Sequence, residues 1–213
     1  MTFRILVVCT ANLCRSPLVA ALLAHDLDPT GGGRPVAVSS AGINALSGER
    51  ACPEMAQLVA AHWLPVARLA EHRAVQLTLE QVAVADLILT ADRRARSEVL
   101  KMAPLAAPHT FTVREAAALV TRTDPRTCGA STEDRLWSCV ATMHAHRGLT
   151  DLPRTRHVLA LPTALRPLSI HDHDLPDAHQ RDLAPHRVVL RLATSAAGRL
   201  GASLSACVTS GVG

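Results

Sequence analysis

The sequence predicts an α/β fold, a parallel sheet covered by helices on both faces. Two observations carry this. Runs such as Ile5-Leu6-Val7-Val8 and Leu87-Ile88-Leu89 are continuously apolar over strand length, without the polar alternation of a half-exposed strand. Between them lie segments whose apolar residues recur at helical spacing, the rhythm of βα units. The length of 213 residues suits one domain with an insertion. Such a chain buries roughly 70% of its unfolded surface, enough for a core without staples.

The elements follow in order. Arg4 to Val8 reads as a buried strand. Ser16-Pro17 opens a helix, with Ser as N-cap and Pro at the first helical position. Leu18, Val19, Leu22 and Leu23 give that helix its apolar face, and Asp28-Pro29 with Gly31 to Gly33 ends it. Val36 to Ser39 is a second strand and Pro53 to His62 a second amphipathic helix. Leu79 to Ala85 is a further helical turn, Asp86 to Thr90 a third strand and Arg93 to Lys101 a helix. His109 to Val113 is a fourth strand, followed by a helix from Arg114 to Val120. Thr121 to Leu168, rich in Pro and loop residues, breaks the rhythm and reads as an insertion holding one helix, Glu133 to His146. From Ala184 onward a last helix places Val188, Val189, Leu192, Ala196, Leu200 and Leu204 on one face. The whole chain, 1–213, is expected to form one domain with the insertion at about 121–168.

Composition excludes several classes. A hydrophobic share of 48% against 19% charged disfavours disorder, collagen and coiled coil. The aromatic share is 2%: Phe3, Phe111, Trp63 and Trp137, with no tyrosine, so the core is aliphatic. The net charge of +4 comes from arginines scattered along the chain with a single lysine, Lys101, and no stretch interleaves them with aromatics. A mixed solvated surface is expected rather than a nucleic-acid partner. No stretch approaches the roughly 20 apolar residues of a membrane helix, and the first apolar run is too short and too early for a signal peptide. Six cysteines in a chain that needs no staples point to a reduced, cytoplasmic protein with thiols available for chemistry.

The chemistry sits where the first strand ends, in Cys9-Thr10-Ala11-Asn12-Leu13-Cys14-Arg15-Ser16. A C-x5-R-S loop between a strand and a helix N-terminus turns backbone N–H groups inward and adds the free N–H groups and dipole of the helix. Thr10, Ala11, Asn12, Leu13, Cys14 and Ser16 would line such an anion cradle, with Arg15 a planar fork for two phosphate oxygens. Positive surroundings favour the thiolate of Cys9, which then faces a bound phosphoryl group as a nucleophile. Ser16 has a hydroxyl to offer that thiolate.

These residues resemble the signature of the low-molecular-weight protein tyrosine phosphatases, and three later stretches match in order: Ser39-Ser40-Ala41-Gly42, His72-Arg73-Ala74 with Leu77-Thr78, and Ala85 to Asp92. The resemblance covers roughly residues 3 to 121 and 170 to 206. It implies a four-stranded parallel sheet, order 2-1-3-4, between helices, and hydrolysis of phosphate monoesters through a phosphocysteine. It assigns Ser40 to hold Asn12. It also implies a general acid before the last helix. Asp177, in Asp174-Leu175-Pro176-Asp177-Ala178, aligns with that acid, and Asp172 and Asp174 are its rivals. Ala11 stands where the family has Gly, and Ala178 where it has Pro. For Cys14 the resemblance implies a reversible disulfide with Cys9; a buried structural thiol is the other reading. No cofactor is implied, since the loop and Arg15 neutralise the charge.

The expected substrate is phosphotyrosine on a protein, or a small aryl phosphate. Family members place aromatic rings at the pocket rim. Here the position after the acid offers His179, and Trp63 and Trp137 read as packing residues, which weakens the phosphotyrosine assignment. Two other functions stay open: a thiol-dependent arsenate reductase relaying through Cys128 or Cys139, and a phospho-ligand binding module without turnover. The spacing of Cys128, Cys139, His144 and His146, or of His171, Asp172, His173 and Asp174, matches no structural zinc site, so no metal is expected.

Overall fold

A computed structural model of the chain describes residues 2–28, 36–62, 67–123, 131–149, 173–179 and 186–209. Strand β1 (Phe3–Cys9) is central. β2 (Val36–Gly42) lies on one side of it and β3 (Leu87–Thr90) on the other, with β4 (Thr110–Thr112) outside β3. All pairs are parallel and the order is β2-β1-β3-β4, as the resemblance implied.

The apolar run of β1 is buried on both sides because successive side chains point to opposite faces. Ile5, Val7 and Cys9 join the core beneath α1 (Arg15–Leu27), α6 (Val113–Leu119) and α8 (His186–Thr209). Leu6 and Val8 face the smaller core under α4 (Leu79–Ala83) and α5 (Arg93–Met102). That makes three layers. The helices α2 (Pro53–Ala61) and α3 (Ala67–Ala70) complete the set before α4. The four-residue α3 escapes sequence reading because so short a segment shows no periodicity.

Capping chemistry sets several helix starts. Thr78 with Gln81, and Thr112 with Glu115, form reciprocal capping boxes at α4 and α6. Ser131 with Asp134 does the same for α7 (Thr132–Ala145), the helix read within the insertion. Several boundaries differ from the sequence reading, two of them informatively. β2 continues through Ser40-Ala41-Gly42, since Gly42 still pairs with Cys9. A 3-10 turn, Pro104–His109, takes the start assigned to β4.

Within the stretch expected to be an insertion, α7 packs far from the end of β1 that carries Cys9. Trp137 of α7 meets Phe3 edge-on, with ring centroids 5.9 Å apart, and Arg135 Nε donates to the Cys207 carbonyl at 2.7 Å. Phe3 opens β1 and Cys9 closes it, a separation of about 20 Å along the strand.

The apolar face read for the last helix is buried throughout, from Val188 to Leu204. α8 lies against α1 so closely at Gly201 that an added Cβ would come 2.7 Å from the Asp26 Cβ. Burial there raises the Asp26 carboxyl pKa above its ordinary value. Gly198, three residues earlier, has open space around it. Gly201→Ala is therefore expected to lower the melting temperature, overpacking by about 1–3 kcal/mol against the roughly 1 kcal/mol that Ala brings in helix propensity. Gly198→Ala should raise it by about 2–4 °C. Thermal melts of the two single variants check both signs.

Candidate active site

The loop after β1 leaves the sheet where β2 branches to one side and β3 to the other. In open α/β sheets this reversal of strand order opens a crevice at the carboxyl ends of the strands. The loop there is held by its carbonyls. Cys9 O accepts from Ile43 N (3.0 Å), Thr10 O from Asn44 N (2.9 Å), Ala11 O from Leu46 N (3.2 Å) and Leu13 O from Cys52 N (2.8 Å). Asn12 O is bonded by His72 Nε2 at 2.7 Å, and Cys14 O accepts from Leu18 N at 3.3 Å in the first turn of α1. A carbonyl and the next N–H lie in one plane and point opposite ways. With these carbonyls turned outward, the N–H groups of residues 10–14 turn toward the loop interior, and Asn12 N–H accordingly reaches Cys9 Sγ at 3.3 Å.

Asn12 is the one non-glycine residue at positive φ (57°) among the described residues. Asn tolerates that conformation. Ala11 carries no such strain, so replacing Gly there leaves the loop geometry intact. The Asn12 side chain is fully used. Nδ2 donates to Ser40 Oγ (3.0 Å) and Ser16 Oγ (2.9 Å), and Oδ1 accepts from Val75 N (2.8 Å). Ser16 is not the helix N-cap. The helix starts at Arg15 with Cys14 as N-cap and no side-chain cap bond, and Ser16 Oγ instead donates to Cys9 Sγ at 3.0 Å. Drawing the loop tight starts the helix earlier and spends the hydroxyl on sulfur.

Gly42 explains the end of the Ser-Ser-Ala-Gly stretch. A Cβ there would lie 2.6 Å from Thr10 O and 3.0 Å from Asn12 N. Gly42→Ala is expected to push the loop out of shape and cut kcat/KM by about 100-fold, the scale of a 1 Å misplacement. Steady-state kinetics beside a melting curve will separate this from a folding defect.

Arg15 is buried, 4% exposed, and aimed by two carboxylates. Nη1 donates to Asp92 Oδ2 at 2.6 Å and to Leu175 O at 3.2 Å. Nη2 donates to Asp177 Oδ2 at 2.7 Å and to Thr10 Oγ1 at 3.3 Å. Burial disfavours the guanidinium charge, but Cys9, Asp177 and Asp92 outweigh it and hold the pKa above its ordinary value. Asp92 serves twice, since its Oδ1 also caps α5 by accepting from Ala95 N at 2.7 Å.

Asp177 thus stands over the loop on the guanidinium that lines it, and Asp177 Oδ1 accepts from His179 N at 3.0 Å. Asp174 is engaged elsewhere. Its carboxylate accepts from Arg93 N at 2.9 Å and pairs with the Arg93 guanidinium at 3.3 Å. Asp172 lies outside the described residues.

Cys14 is buried and its thiol donates to Cys52, the N-cap of α2. That bond pushes the Cys14 pKa well above the ordinary thiol range and brings Cys52 down to about 5. Beside Ala11, to whose carbonyl its N–H donates, stands Leu46, 54% exposed. No aromatic carbocycle among the described residues reaches it. Phe3 and Phe111 are buried, and Trp137 packs on Phe3. Trp63 lies outside the described residues, as does Cys128. Cys139 lies against Cys207 and Thr123.

Three residues of the site had no role in the sequence reading: Asp92, His72 and Cys52. Asp92 was legible, as an Asp between a buried strand and a helix is an N-cap signal. His72 lies in a stretch that carries the resemblance, but its bond to the loop, like that of Cys52, comes from a distant segment and shows no local signal.

The family model for low molecular weight phosphotyrosine protein phosphatases matches residues 4–125. A probable low molecular weight protein-tyrosine-phosphatase, EpsP of Ralstonia nicotianae, is 41% identical over 111 residues, 52% of this chain and 70% of that one. The protein-arginine-phosphatase of Geobacillus stearothermophilus is 33% identical over 115 residues, 54% of this chain and 72% of that one. The crystal structure of YfkJ from Bacillus subtilis shares the fold at a TM-score of 0.60 and 16% identity, over 95% of this chain and 94% of that one. With a loop whose carbonyls turn outward around a thiol and more than half of its length matching the family, this chain belongs to the low molecular weight phosphotyrosine protein phosphatases and is a phosphatase.

Proposed function

We propose that the chain hydrolyses phosphotyrosine on proteins through a phosphocysteine, in one domain to which residues 121–168 are an insertion. The observation that supports it most is the single guanidinium of Arg15. It binds Asp177 at 2.7 Å while its own chain position, six residues after Cys9, fixes it beside the loop that cradles the sulfur. A phosphate seated in the loop meets nucleophile, clamp and acid together.

The steps follow. The Cys9 thiolate, held by Ser16 Oγ–H and Asn12 N–H, attacks phosphorus while the P–O bond to the substrate breaks. Asp177 gives its proton to the departing oxygen. The inward N–H groups and Arg15 bind the non-bridging oxygens throughout, and Asp92 keeps Arg15 in place. Asp177, now a carboxylate, takes a proton from water as that water attacks phosphorus. The S–P bond breaks, inorganic phosphate leaves and the thiolate is restored. Free thiols at Cys9 and Cys14 suit a reducing, cytoplasmic setting.

One observation favours a second substrate, phosphoarginine. Among the described residues the exposed side chain next to Ala11 is the aliphatic Leu46, and one relative is named a protein-arginine-phosphatase. Turnover of a phosphotyrosine peptide, a phosphoserine peptide and phosphoarginine, measured side by side, tests the reading. The phosphotyrosine peptide is expected to have the highest kcat/KM; a higher value for phosphoarginine selects the second substrate. Leu46→Ala should raise KM for an aryl phosphate about fivefold with kcat little changed, the loss of roughly 1 kcal/mol of apolar contact.

A further inference from the structure

We propose that Cys14, Cys52, His179 and His186 form a tetrahedral binding site for a divalent cation of borderline softness, zinc(II) above all. One potential ligand atom from each of the four lies within 4.8 Å of the other three. Cys52 Sγ is 3.2 Å from His186 Nε2, and that nitrogen is 3.4 Å from His179 Nε2. A zinc ion with sulfur at about 2.3 Å and nitrogen at about 2.0–2.1 Å requires edges of about 3.6 Å for S–N, 3.3 Å for N–N and 3.8 Å for S–S. The side chains already stand near that tetrahedron.

The donor set selects the ion. Two thiolates and two neutral imidazoles disfavour calcium and magnesium, which take oxygen ligands. Two thiolate charges cancel the dication, so the complex is neutral where Cys14 and Cys52 are buried. Binding releases the Cys14 thiol proton to solvent. Glu54, with Oε2 3.2 Å from Cys52 Sγ and 3.5 Å from His186 Nε2, stands at the open edge and is mostly exposed. The pocket is partly preorganised without metal, because Cys52 N–H is bonded to Leu13 O at 2.8 Å.

The ligands come from four segments: the phosphate loop, the start of α2, the stretch just after Asp177 and the first residue of α8. A bound ion therefore ties His179, two residues from Asp177, to Cys14 on the loop. It also keeps Cys14 from pairing with Cys9. Neither consequence depends on which phosphoester the site cleaves.

The test uses the full chain, reduced, stripped with chelator and then given zinc(II) or cobalt(II) alone. The wild type is expected to take up one equivalent of zinc and to melt at a higher temperature with it. Its cobalt form should show the intense visible bands and thiolate charge-transfer absorption of tetrahedral sulfur coordination. Cys52→Ser and His186→Ala should each weaken zinc binding on the order of 100-fold, while Cys139→Ser leaves it unchanged. If Cys52→Ser fails to fold by circular dichroism, His186→Ala and His179→Ala decide. Absence of stoichiometric zinc, a pale octahedral cobalt spectrum, or equal weakening by Cys139→Ser overturns the proposal. Turnover is not among the readouts, so failure here leaves the phosphatase reading standing, and an inactive wild type leaves the metal result standing.

Discussion

Cys9→Ser is expected to abolish turnover of an aryl phosphate, by about 10⁴-fold or more, while binding of inorganic phosphate persists. The hydroxyl is a far weaker nucleophile than the thiolate, and removing a covalent nucleophile can cost on the order of 10⁶ in kcat. The cradle should survive the change. Its carbonyls are bonded to Ile43, Asn44, Leu46, Cys52 and His72, and none of these bonds involves sulfur. Phosphate titration followed by NMR, with single-turnover kinetics on the same sample, reads both quantities. Retention of more than about 1% of wild-type kcat would show that Cys9 is not the nucleophile; wild-type binding without wild-type turnover would instead show a binding module.

The second large effect concerns Asp177. Asp177→Asn should lower kcat by about 10² to 10⁴-fold, the usual contribution of a placed general acid. The loss should be greatest for substrates with poor leaving groups and should shrink when the departing oxygen needs no proton. KM should not rise. Asp177 occupies Arg15 Nη2 at 2.7 Å, so neutralising it removes a competitor for the guanidinium proposed to bind phosphate. Asp174→Asn is the control. Its carboxylate is held by Arg93 N–H and the Arg93 guanidinium, so its loss should touch α5 more than chemistry. A larger drop in kcat for Asp174→Asn than for Asp177→Asn would reverse the assignment of the acid.

The rival reading of arsenate reduction needs thiols that can pass electrons to Cys9 in succession. Cys139 sits beside Cys207, at the end of the molecule where Trp137 packs on Phe3, and so is remote from the loop. Cys128 lies outside the described residues; among the described ones, the further thiol that adjoins the loop is Cys52, through Cys14, and it comes with two histidines.

The local sequence determined most of the frame. Ile5-Leu6-Val7-Val8 is apolar at every position, so it had to be buried on both faces, and a sheet buried on both faces takes helices above and below. Thr112 with Glu115, three apart, start a helix by reciprocal hydrogen bonds within one turn. Cys9, Arg15 and Ser16 sit within eight residues, so strand, loop and helix place them with no help from afar. Signals of this kind are short-range, and a reader of the chain can find them. The tertiary structure alone decided the rest. Ser16 looked like a helix cap until the loop, drawn tight by partners near residues 43, 46, 52 and 72, turned its hydroxyl to sulfur. Asp177 and Asp174 are both loop aspartates, told apart in sequence by the resemblance alone; the structure adds a physical difference, Arg15 approaching one and Arg93 the other. Cys14, Cys52, His179 and His186 have no ligand spacing along the chain, yet the packing of α8 against α1 and α2 sets their donor atoms within 4.8 Å of one another. Groups brought together by long loops and packed helices leave no period and no motif, because the energy that assembles them is spread over the core rather than written beside them.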